Sequence, residues 1–429
     1  MKQRLKRLPD RVRGLIRLCR DVSYSRNVNA YLVGGFVRDL FLKRENFDLD
    51  VVVESDGIAF AEELATRLHG RLTRHRRFGT ATITHSHLHK IDVSTCRKEF
   101  YPASADLPVV SPGTLRDDLF RRDFTINAMA IQLSGRGFGV RIDYFEGHED
   151  LKRKVIRVLH RNSFIDDPTR ILRAIRFQQR FGFCLAPATG ILLKRAVSAG
   201  MLLKVHPHRV RDDLILLLKE KKPLGCVQKI EQLAGWGFLS TQIKISAKTR
   251  CFLRMVSREA AWCNTRSTAR KPLEEWLVYL MGILDALTVS QVRRLSRKLA
   301  LRKDEERRLI GFKQFERKGI RGLMKENILP ASLWKVLAPL SSEELIAVKS
   351  KYRDCRVQRH IRDYVVKYQG VRPYITGHDL HALGLHPGPG FKRILTEVLQ
   401  ARLNGRIRNK TEELALVKDR IRRDAHRGI

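Results

Sequence analysis

Apolar residues follow two different patterns along this chain of 429 residues. In the first part, short apolar runs between polar breaks predict strands, and an apolar face at helical spacing predicts a helix over 55–68. The predicted strands are 31–33, 48–53, 70–73, 80–84, 90–95 and 140–144. Beyond residue 160 the strand patterns nearly disappear and long helical patterns dominate. We therefore predict an α+β fold, with a mixed β-sheet and helices in a small N-terminal head and an all-α remainder.

One segment of the head lacks a regular pattern. Residues 97–115 are rich in Pro, Ser and Gly, as in Tyr101-Pro102 and Ser111-Pro112-Gly113. This composition predicts a long loop, and loops of that length within a domain are often functional. Helix and strand patterns resume after it.

Charge narrows the class of partner. The chain contains 84 Lys and Arg against 45 Asp and Glu, a formal net charge of +39 with a pI near 10.6. This surplus predicts a polyanionic partner. An anionic membrane is the competing partner, but no apolar stretch approaches the roughly 20 residues of a spanning helix, so we expect no membrane. The basic N-terminus lacks the apolar region of a signal peptide, and we expect a cytoplasmic location.

Two acids one residue apart, Asp48 and Asp50, begin a strand that continues through the apolar run 51–53. Side chains at i and i+2 of a strand project from the same face, so both carboxylates can bind the same divalent cations. Hard oxygen ligands suit Mg²⁺, which shares its coordination with substrate phosphates. Two solvated acids beside an ordinary turn are the alternative. The buried strand favours a two-metal site for nucleotidyl transfer, because burial of an acidic pair without a cation is costly.

Two further features accompany these acids. Gly34 and Gly35 lie between a short apolar run and a helical pattern at 36–42, and such a turn can hold a triphosphate. Asp92 is the one acid in the predicted strand 90–95 and can supply a third carboxylate to the metal site. The alternative for Asp92, an acid that caps or pairs with a nearby arginine, agrees with the sequence equally well.

Two later segments combine an apolar face with groups that bind nucleotides. In the first, apolar neighbours leave Arg122, Asp123 and Asn127 free to contact phosphate and ribose. In the second, a helix start places Asp167 beside Arg170, an acceptor next to donors, as recognition of a base edge requires. Each segment taken alone also agrees with a solvated basic surface, so the interpretation depends on the whole set of motifs.

Together these segments resemble the class II tRNA nucleotidyltransferase and bacterial poly(A) polymerase family. The resemblance covers roughly residues 28–185, and a weaker similarity continues at 384–389. The motifs that carry it are Gly-Gly-Phe-Val-Arg-Asp, Asp-Leu-Asp, Arg-Arg-Asp-Phe-Thr-Ile-Asn-Ala-Met-Ala and Asp-Asp-Pro-Thr-Arg-Ile-Leu-Arg-Ala-Ile-Arg-Phe.

The resemblance implies a division of the chain and a role for each motif residue. The implied domains are a catalytic head at 1–155, a helical neck with the nucleotide-binding helix at 156–225, a helical body at 226–340 and an RNA-binding helical tail at 341–429. The implied contacts are Mg²⁺ with Asp48 and Asp50, the triphosphate with Gly35 and Arg38, and the incoming nucleotide with Arg122, Asp167, Arg170, Arg173 and Arg176. Asp166 stands where the family usually has Glu. We interpret His378-Asp379 as a helix cap, not as part of a phosphohydrolase block.

The expected function is template-independent addition of C, A or both to the 3′ end of tRNA, with CTP or ATP and Mg²⁺. A poly(A) polymerase uses the same chemistry with a different stopping rule, and composition does not separate the two. A noncatalytic RNA-binding protein explains the charge. A noncatalytic role does not explain the Asp48 and Asp50 pair or the helix at Asp167.

Overall fold

The computed structural model describes residues 2–85, 88–267 and 272–426, and the chain divides into two compact units that meet in sequence at 238/239. The strands of the first unit are β1 Ala30–Val33, β2 Leu49–Val53, β3 Arg71–His75, β4 Thr80–His85, β5 Leu88–Thr95, β6 Arg97–Phe100, β7 Val109–Pro112, β8 Ala130–Gln132, β9 Arg141–Ile142, β10 Val155–Ile156 and β11 Cys184–Leu185. Its helices are α1 Lys2–Lys6, α2 Asp10–Ser25, α3 Gly34–Phe41, α4 Gly57–Leu68, α5 Leu115–Phe120, α6 Gly147–Arg153, α7 Ser163–Asp166, α8 Thr169–Phe181, α9 Pro187–Ser198, α10 Met201–Lys204, α11 Pro207–Leu218 and α12 Pro223–Leu233. Three 3₁₀ turns lie at Arg76–Phe78, Thr125–Asn127 and Gly135–Gly137.

Seven strands of the described part form a mixed sheet in the order β3-β4-β5-β2-β1-β8-β9. β2 and β5 run parallel, and the other neighbouring strands are antiparallel. β2 is central and its apolar residues are buried, as the run 51–53 predicts. Its polar residue Asp50 lies one position from the start of the strand, opposite Asp92 of β5. The sheet therefore brings two of the predicted acids onto neighbouring strands.

The segment 97–115 differs from the prediction. Instead of one long loop, β6 and β7 pair as an antiparallel hairpin with Arg97 opposite Pro112 and Phe100 opposite Val109. The prolines do not interrupt it, because Pro112 sits at the end of β7, where a missing N–H is tolerated. The connection 101–108 and residues 113–114 are irregular.

Helices α7 to α12 follow the head, as the helical patterns predict. α8 buries Ile171, Leu172 and Ile175 on one face and packs against α11 and α12. The strands β10 and β11 are an exception to the all-α prediction. They precede and follow α8 in the sequence and pair with each other in parallel, with two residues each. Within the described residues the mixed sheet of the head and the helices that follow confirm the predicted fold class.

The described part of the second unit is helical and carries no strand. Its helices are α13 Ala247–Asn264, α14 Glu275–Ile283, α15 Val289–Lys298, α16 Lys303–Lys318, α17 Ile320–Leu323, α18 Pro330–Leu337, α19 Ser342–Lys351, α20 Cys355–Asp363, a π-helical turn Tyr364–Tyr368, α21 Gly377–Ala382, α22 Pro389–Leu403 and α23 Lys410–His426. Asp379 accepts from the backbone N–H and hydroxyl of Thr376, which confirms the predicted helix cap. In the described ranges no helix is long and apolar enough to cross a membrane. The bounds of the four predicted domains stay a prediction.

The contact of α6 with the 3₁₀ turn at Thr125–Asn127 gives a stability prediction. A Cβ added at Gly147 would overlap the Thr125 carbonyl, so Gly147→Ala must displace this turn and should lower the free energy of unfolding by about 1–3 kcal/mol. Gly14 is the matched control, because its added Cβ meets nothing within 4 Å in α2 and Gly14→Ala should raise stability by up to about 1 kcal/mol. Denaturant unfolding of both variants checks this, and an unchanged Gly147→Ala midpoint contradicts it.

Candidate nucleotide-binding site

A cavity of about 760 Å³ opens in the first unit where the sheet meets α3 and α8. Twelve of the thirteen predicted site residues line it. They are Gly34, Gly35, Arg38, Asp50, Asp92, Arg122, Asp123, Asn127, Asp167, Arg170, Arg173 and Arg176. The thirteenth, Asp48, is exposed and precedes the first residue of β2. Residues that lie far apart in sequence thus share one polar cavity.

The carboxylates interact electrostatically across β2 and β5. Asp50 and Asp92 are register partners in this parallel pair. Burial raises the pKa of Asp50; Arg122 opposes this shift, while the charges of Asp92 and Asp48 add to it. Asp92 itself accepts a hydrogen bond from Thr82 at 2.6 Å and pairs with Lys90 at 2.6 Å. The alternative interpretation of Asp92 was pairing with an arginine, whereas the observed partner is a lysine, and the role of Asp92 as a third carboxylate stays a prediction.

The donor set fits a divalent cation that binds together with a nucleotide. Among residues 2–85, 88–267 and 272–426, no group of three or more His, Cys, Asp and Glu side chains is placed to hold a metal ion alone. Mg²⁺ does not need such a cage, since it usually takes one or two carboxylates and completes its coordination with water and substrate phosphates. Burial, with the charges of Asp92 and Asp48 added to it, raises the pKa of Asp50, and a bound cation would favour the ionised carboxylate.

The glycine turn lies directly against these groups. Gly34 follows β1 and adopts a φ of +70°, a conformation that favours glycine. A Cβ at this position would lie 2.8 Å from Nη1 of Arg122 and 2.9 Å from Oδ2 of Asp50. The absence of a side chain therefore lets the start of α3 approach both groups, which is the close backbone approach that the sequence predicts.

Arg38 is buried, and most of its donors are already used inside the protein. It pairs bidentately with Asp39 at 2.9 Å through both bonds and donates to Oδ1 of Asn127 at 2.6 Å. Its guanidinium also stacks over the ring of Phe181 in α8, 4.7 Å from the centroid. In this arrangement Arg38 holds α3 against α8. Its predicted contact with a triphosphate stays a prediction.

Asp123 continues this network. Its carboxylate accepts from Nδ2 of Asn127 at 2.8 Å and from Nε and Nη2 of Arg173 at 2.9 and 2.6 Å. Burial opposes ionisation, but Arg173 and Asn127 outweigh it and lower the pKa of Asp123 to about 2. The head and α8 are therefore joined by a chain of charged and amide groups. Asp123 and Asn127 face one another within it, and their predicted contacts with a nucleotide stay predictions.

Two buried arginine N–H groups point to a missing partner. Nε of Arg122 and Nε of Arg176 make no hydrogen bond in the described part of the chain, although both side chains line the cavity. Arg122 is held in place by Asp118, which accepts from its Nη2 at 2.9 Å. Arg176 has only a longer pairing with Glu220, at 3.6 Å. An unsatisfied buried donor is costly, so an anionic ligand fits here.

Asp167 and Arg170 are placed differently from the adjacent acceptor and donor that the sequence predicts. Asp167 accepts from Thr169 at the start of α8 and from Nη2 of Arg209 at 2.8 Å. Arg170 is buried and donates to Ser163 and to the carbonyl of Arg121. Both residues line the cavity, and recognition of a base edge by this pair stays a prediction.

Sequence reasoning missed several cavity residues, among them Arg209 and Tyr101. Arg209 of α11 pairs with Asp167 and lies 3.4 Å from the carbonyl of Ala105 in the hairpin connection, so it bridges two walls of the cavity. Tyr101 enters from the same hairpin and donates to Glu99 at 3.1 Å. The irregular composition of 97–115 is a signal for Tyr101. Arg209 has none, because one arginine among 84 Lys and Arg does not stand out.

Comparison with known proteins agrees with this arrangement. A family model described as the poly A polymerase head domain matches residues 30–157. The A-adding tRNA nucleotidyltransferase of Halalkalibacterium halodurans is 32% identical over 399 residues, which are 91% of this chain and 88% of that protein. The chain belongs to the class II tRNA nucleotidyltransferase family. This confirms the predicted family.

Two more family members show how far the similarity extends. The A-adding tRNA nucleotidyltransferase of Geobacter sulfurreducens is 37% identical over 391 residues, 90% of this chain. The chain spans less than half of that protein, 44%. A solved structure of the Thermotoga maritima CCA-adding enzyme complexed with tRNA has a TM-score of 0.75 and 30% identity, and the match covers 98% of each chain.

The Asp123 network gives a second stability prediction. Asp123→Asn keeps the shape but removes the charge that faces Arg173, so it should lower the free energy of unfolding by about 1–3 kcal/mol. Because the pKa of Asp123 in the folded protein, about 2, lies below the usual 3.8, this contribution is complete above about pH 4 and is lost as the pH falls towards 2. Urea unfolding of both proteins at pH 7 and at pH 3 measures it.

Asp212→Asn is the matched control for this experiment. Asp212 is exposed on α11 and pairs with Arg211 at the surface, so its loss should change stability by less than about 1 kcal/mol. Equal effects of the two substitutions, or a gap that does not narrow in acid, contradict the buried network.

Proposed function

We propose that this protein adds adenosine monophosphate from ATP to the 3′ end of tRNA without a nucleic-acid template. The observation that carries this proposal is the cavity in which a glycine turn, Asp50 and the unpaired N–H of Arg122 lie side by side. Two relatives that align over nine-tenths of this chain are named A-adding enzymes, which favours A over C.

In the proposed reaction the terminal 3′ hydroxyl of the RNA attacks the α-phosphorus of ATP, and pyrophosphate leaves. Asp48 and Asp50 would hold Mg²⁺. Bound there, the ion supplies activation of the hydroxyl and neutralisation of the leaving charge. The backbone at Gly34 and Gly35 cradles the triphosphate, and the buried Nε of Arg122 donates to a phosphate oxygen.

The far end of the cavity would hold the base and ribose. Asp167 offers a carboxylate that α8 and Arg209 hold in place, so it can accept from the exocyclic amine of adenine. Arg176 supplies the second unsatisfied N–H. We assign Arg170 and Arg173 to the support of this wall, since Arg170 binds Ser163 and Arg173 binds the Asp123 carboxylate.

The partner in this proposal is the acceptor end of tRNA, in the cytoplasm. A net charge of +39 suits binding to phosphates, which positions a nucleic acid without reading its sequence. Recognition of stem shape is then sufficient. Addition of C as well as A is the second candidate, because the chain is also similar over its length to a CCA-adding enzyme.

Incubation with each of the four nucleoside triphosphates separates these functions. The substrates are one tRNA that ends at the discriminator base and one that ends at the second C. An A-adding enzyme extends only the second tRNA, with ATP, by one residue. Extension of the first tRNA by CTP establishes C addition, and a product ladder on unrelated RNA establishes polyadenylation. RNA binding without any pyrophosphate release leaves a noncatalytic binder.

Asp50→Asn tests the metal-binding role within this function. The substitution removes one carboxylate charge from the site, so kcat/KM should fall by about 10³-fold or more while RNA binding is retained. Asp21→Asn is the control, since Asp21 is half exposed on α2 and pairs only with its neighbour Arg20. Single-turnover extension assays give the rates. Near wild-type extension by Asp50→Asn eliminates the proposed role of Asp50.

A further inference from the structure

Four aromatic rings form a contiguous surface in the head. Phe120 at the end of α5 lies 5.7 Å from Phe145 and 5.3 Å from His160, and Tyr144 lies 6.3 Å from Phe145, measured between ring centroids. We call these four residues the aromatic platform. Phe120 and Tyr144 remain 44% and 48% exposed. Scattered exposed apolar residues need no explanation, but a contiguous aromatic surface is typical of binding sites.

The platform is rigid because part of it belongs to the core. Phe145 packs against the buried cluster that includes Leu115 and Leu119 of α5. Phe120 follows Leu119 directly, so the helix fixes where its ring projects. The exposed rings are therefore held in place without a ligand, and a ligand that stacks on them loses little free energy to ordering the site.

The platform borders the nucleotide cavity. Phe120 directly precedes Arg121 and Arg122, and both arginines line the cavity. On the other side, His160 lies 3.7 Å from Asp166, which precedes the cavity residue Asp167. Both segments also meet at the cavity residue Arg170, which donates to Ser163 and to the carbonyl of Arg121.

Two arginines lie beside the platform, and the acids Asp143, Glu146 and Asp166 lie near it in sequence or in space. The guanidinium of Arg116 lies over the ring of Tyr144, 5.9 Å from its centroid, and Arg161 is exposed next to His160. Burial, together with the charge of Arg170, lowers the pKa of His160 to about 4, so this ring is neutral at pH 7 and stacks as an uncharged aromatic. Neutral rings flanked by arginines match a flexible polyanion with flat bases.

We propose that the aromatic platform stacks the unpaired bases at the 3′ end of the RNA substrate and thereby directs the terminal hydroxyl into the cavity. This inference rests on the proposed function for the identity of the RNA. Only unpaired bases can be splayed onto aromatic side chains, so the platform binds the single-stranded end and not the stem. Stacking tolerates any base, which suits an end that is recognised by position and shape.

The test compares two tRNAs in the absence of nucleoside triphosphate, one that ends at the second C and one trimmed to the discriminator base. Wild-type protein should bind the longer tRNA more tightly. The double variant Phe120→Ala, Tyr144→Ala should lose this preference, roughly 5- to 100-fold if one or two stacked bases are lost. A 2-aminopurine at the penultimate position of the RNA should be quenched on binding to the wild type and not to the variant.

Two controls separate stacking from a folding defect. Phe120→Trp keeps an aromatic surface and should retain both the preference and the quenching. Tyr24→Ala removes a side chain that is 57% exposed on α2 and should behave as wild type. Unchanged affinity of the double variant for the trimmed tRNA, with an unchanged melting temperature, shows that the remaining fold and stem contacts are intact.

The outcomes for this inference and for the proposed function are distinct. A preference for the longer tRNA that persists in the double variant, with quenching intact, overturns the inference. The platform would then be assigned to contact with a protein partner. A preference that is lost in the double variant supports the inference even if the wild type extends no RNA, because the assay measures binding alone. In that case only the proposed function fails.

Discussion

The candidate site depends on one ion pair, that between the buried Asp123 and the partly exposed Arg173. Asp123 belongs to the segment that follows α5, and Arg173 belongs to α8, so their bond joins the head to the helices behind it. A buried carboxylate is stable only when it is paired, and Arg173 and Asn127 supply the pairing that keeps it ionised. Through Asn127 the same network reaches Arg38 of α3. The glycine turn, the cavity wall and α8 therefore hold their positions together.

A second constraint fixes the positions of the acids relative to this ion-pair network. The parallel pairing of β2 with β5 places Asp50 opposite Asp92, and the glycine turn before α3 lies against Asp50. Burial raises the pKa of Asp50, and the negative charge of Asp92 adds to this shift. A site that concentrates carboxylates and unsatisfied arginine donors is unfavourable when empty and favourable with a metal nucleotide bound. The proposed nucleotidyl transfer depends on carboxylates and arginine donors that are already in position for the metal and the phosphates.

The sequence predicted the fold class, the family and twelve of the 28 residues that line the cavity, because local patterns encode them. Alternation and helical spacing predict strands and helices. The glycine turn is recognisable because glycine adopts a positive φ more readily than other residues do. The prediction was wrong about 97–115, since Pro and Gly favour loops locally, while the backbone hydrogen bonds of the β6 and β7 hairpin form only once both ends are brought together. Roles for single residues were harder to predict. Arg38 matches a phosphate-binding motif, yet its guanidinium faces Asp39 and Asn127.

The sequence by itself determined which residues are chemically able to act: acids at strand spacing, glycines before a helix, arginines along one side of α8 and a surplus of positive charge. Only the tertiary structure decided which of their atoms remain available. Side-chain pairing depends on neighbours distant in sequence, such as Arg209 for Asp167 and Arg173 for Asp123. The exposure of Phe120 and Tyr144 could not be predicted from the sequence either, because burial is a property of packed elements and not of residue type.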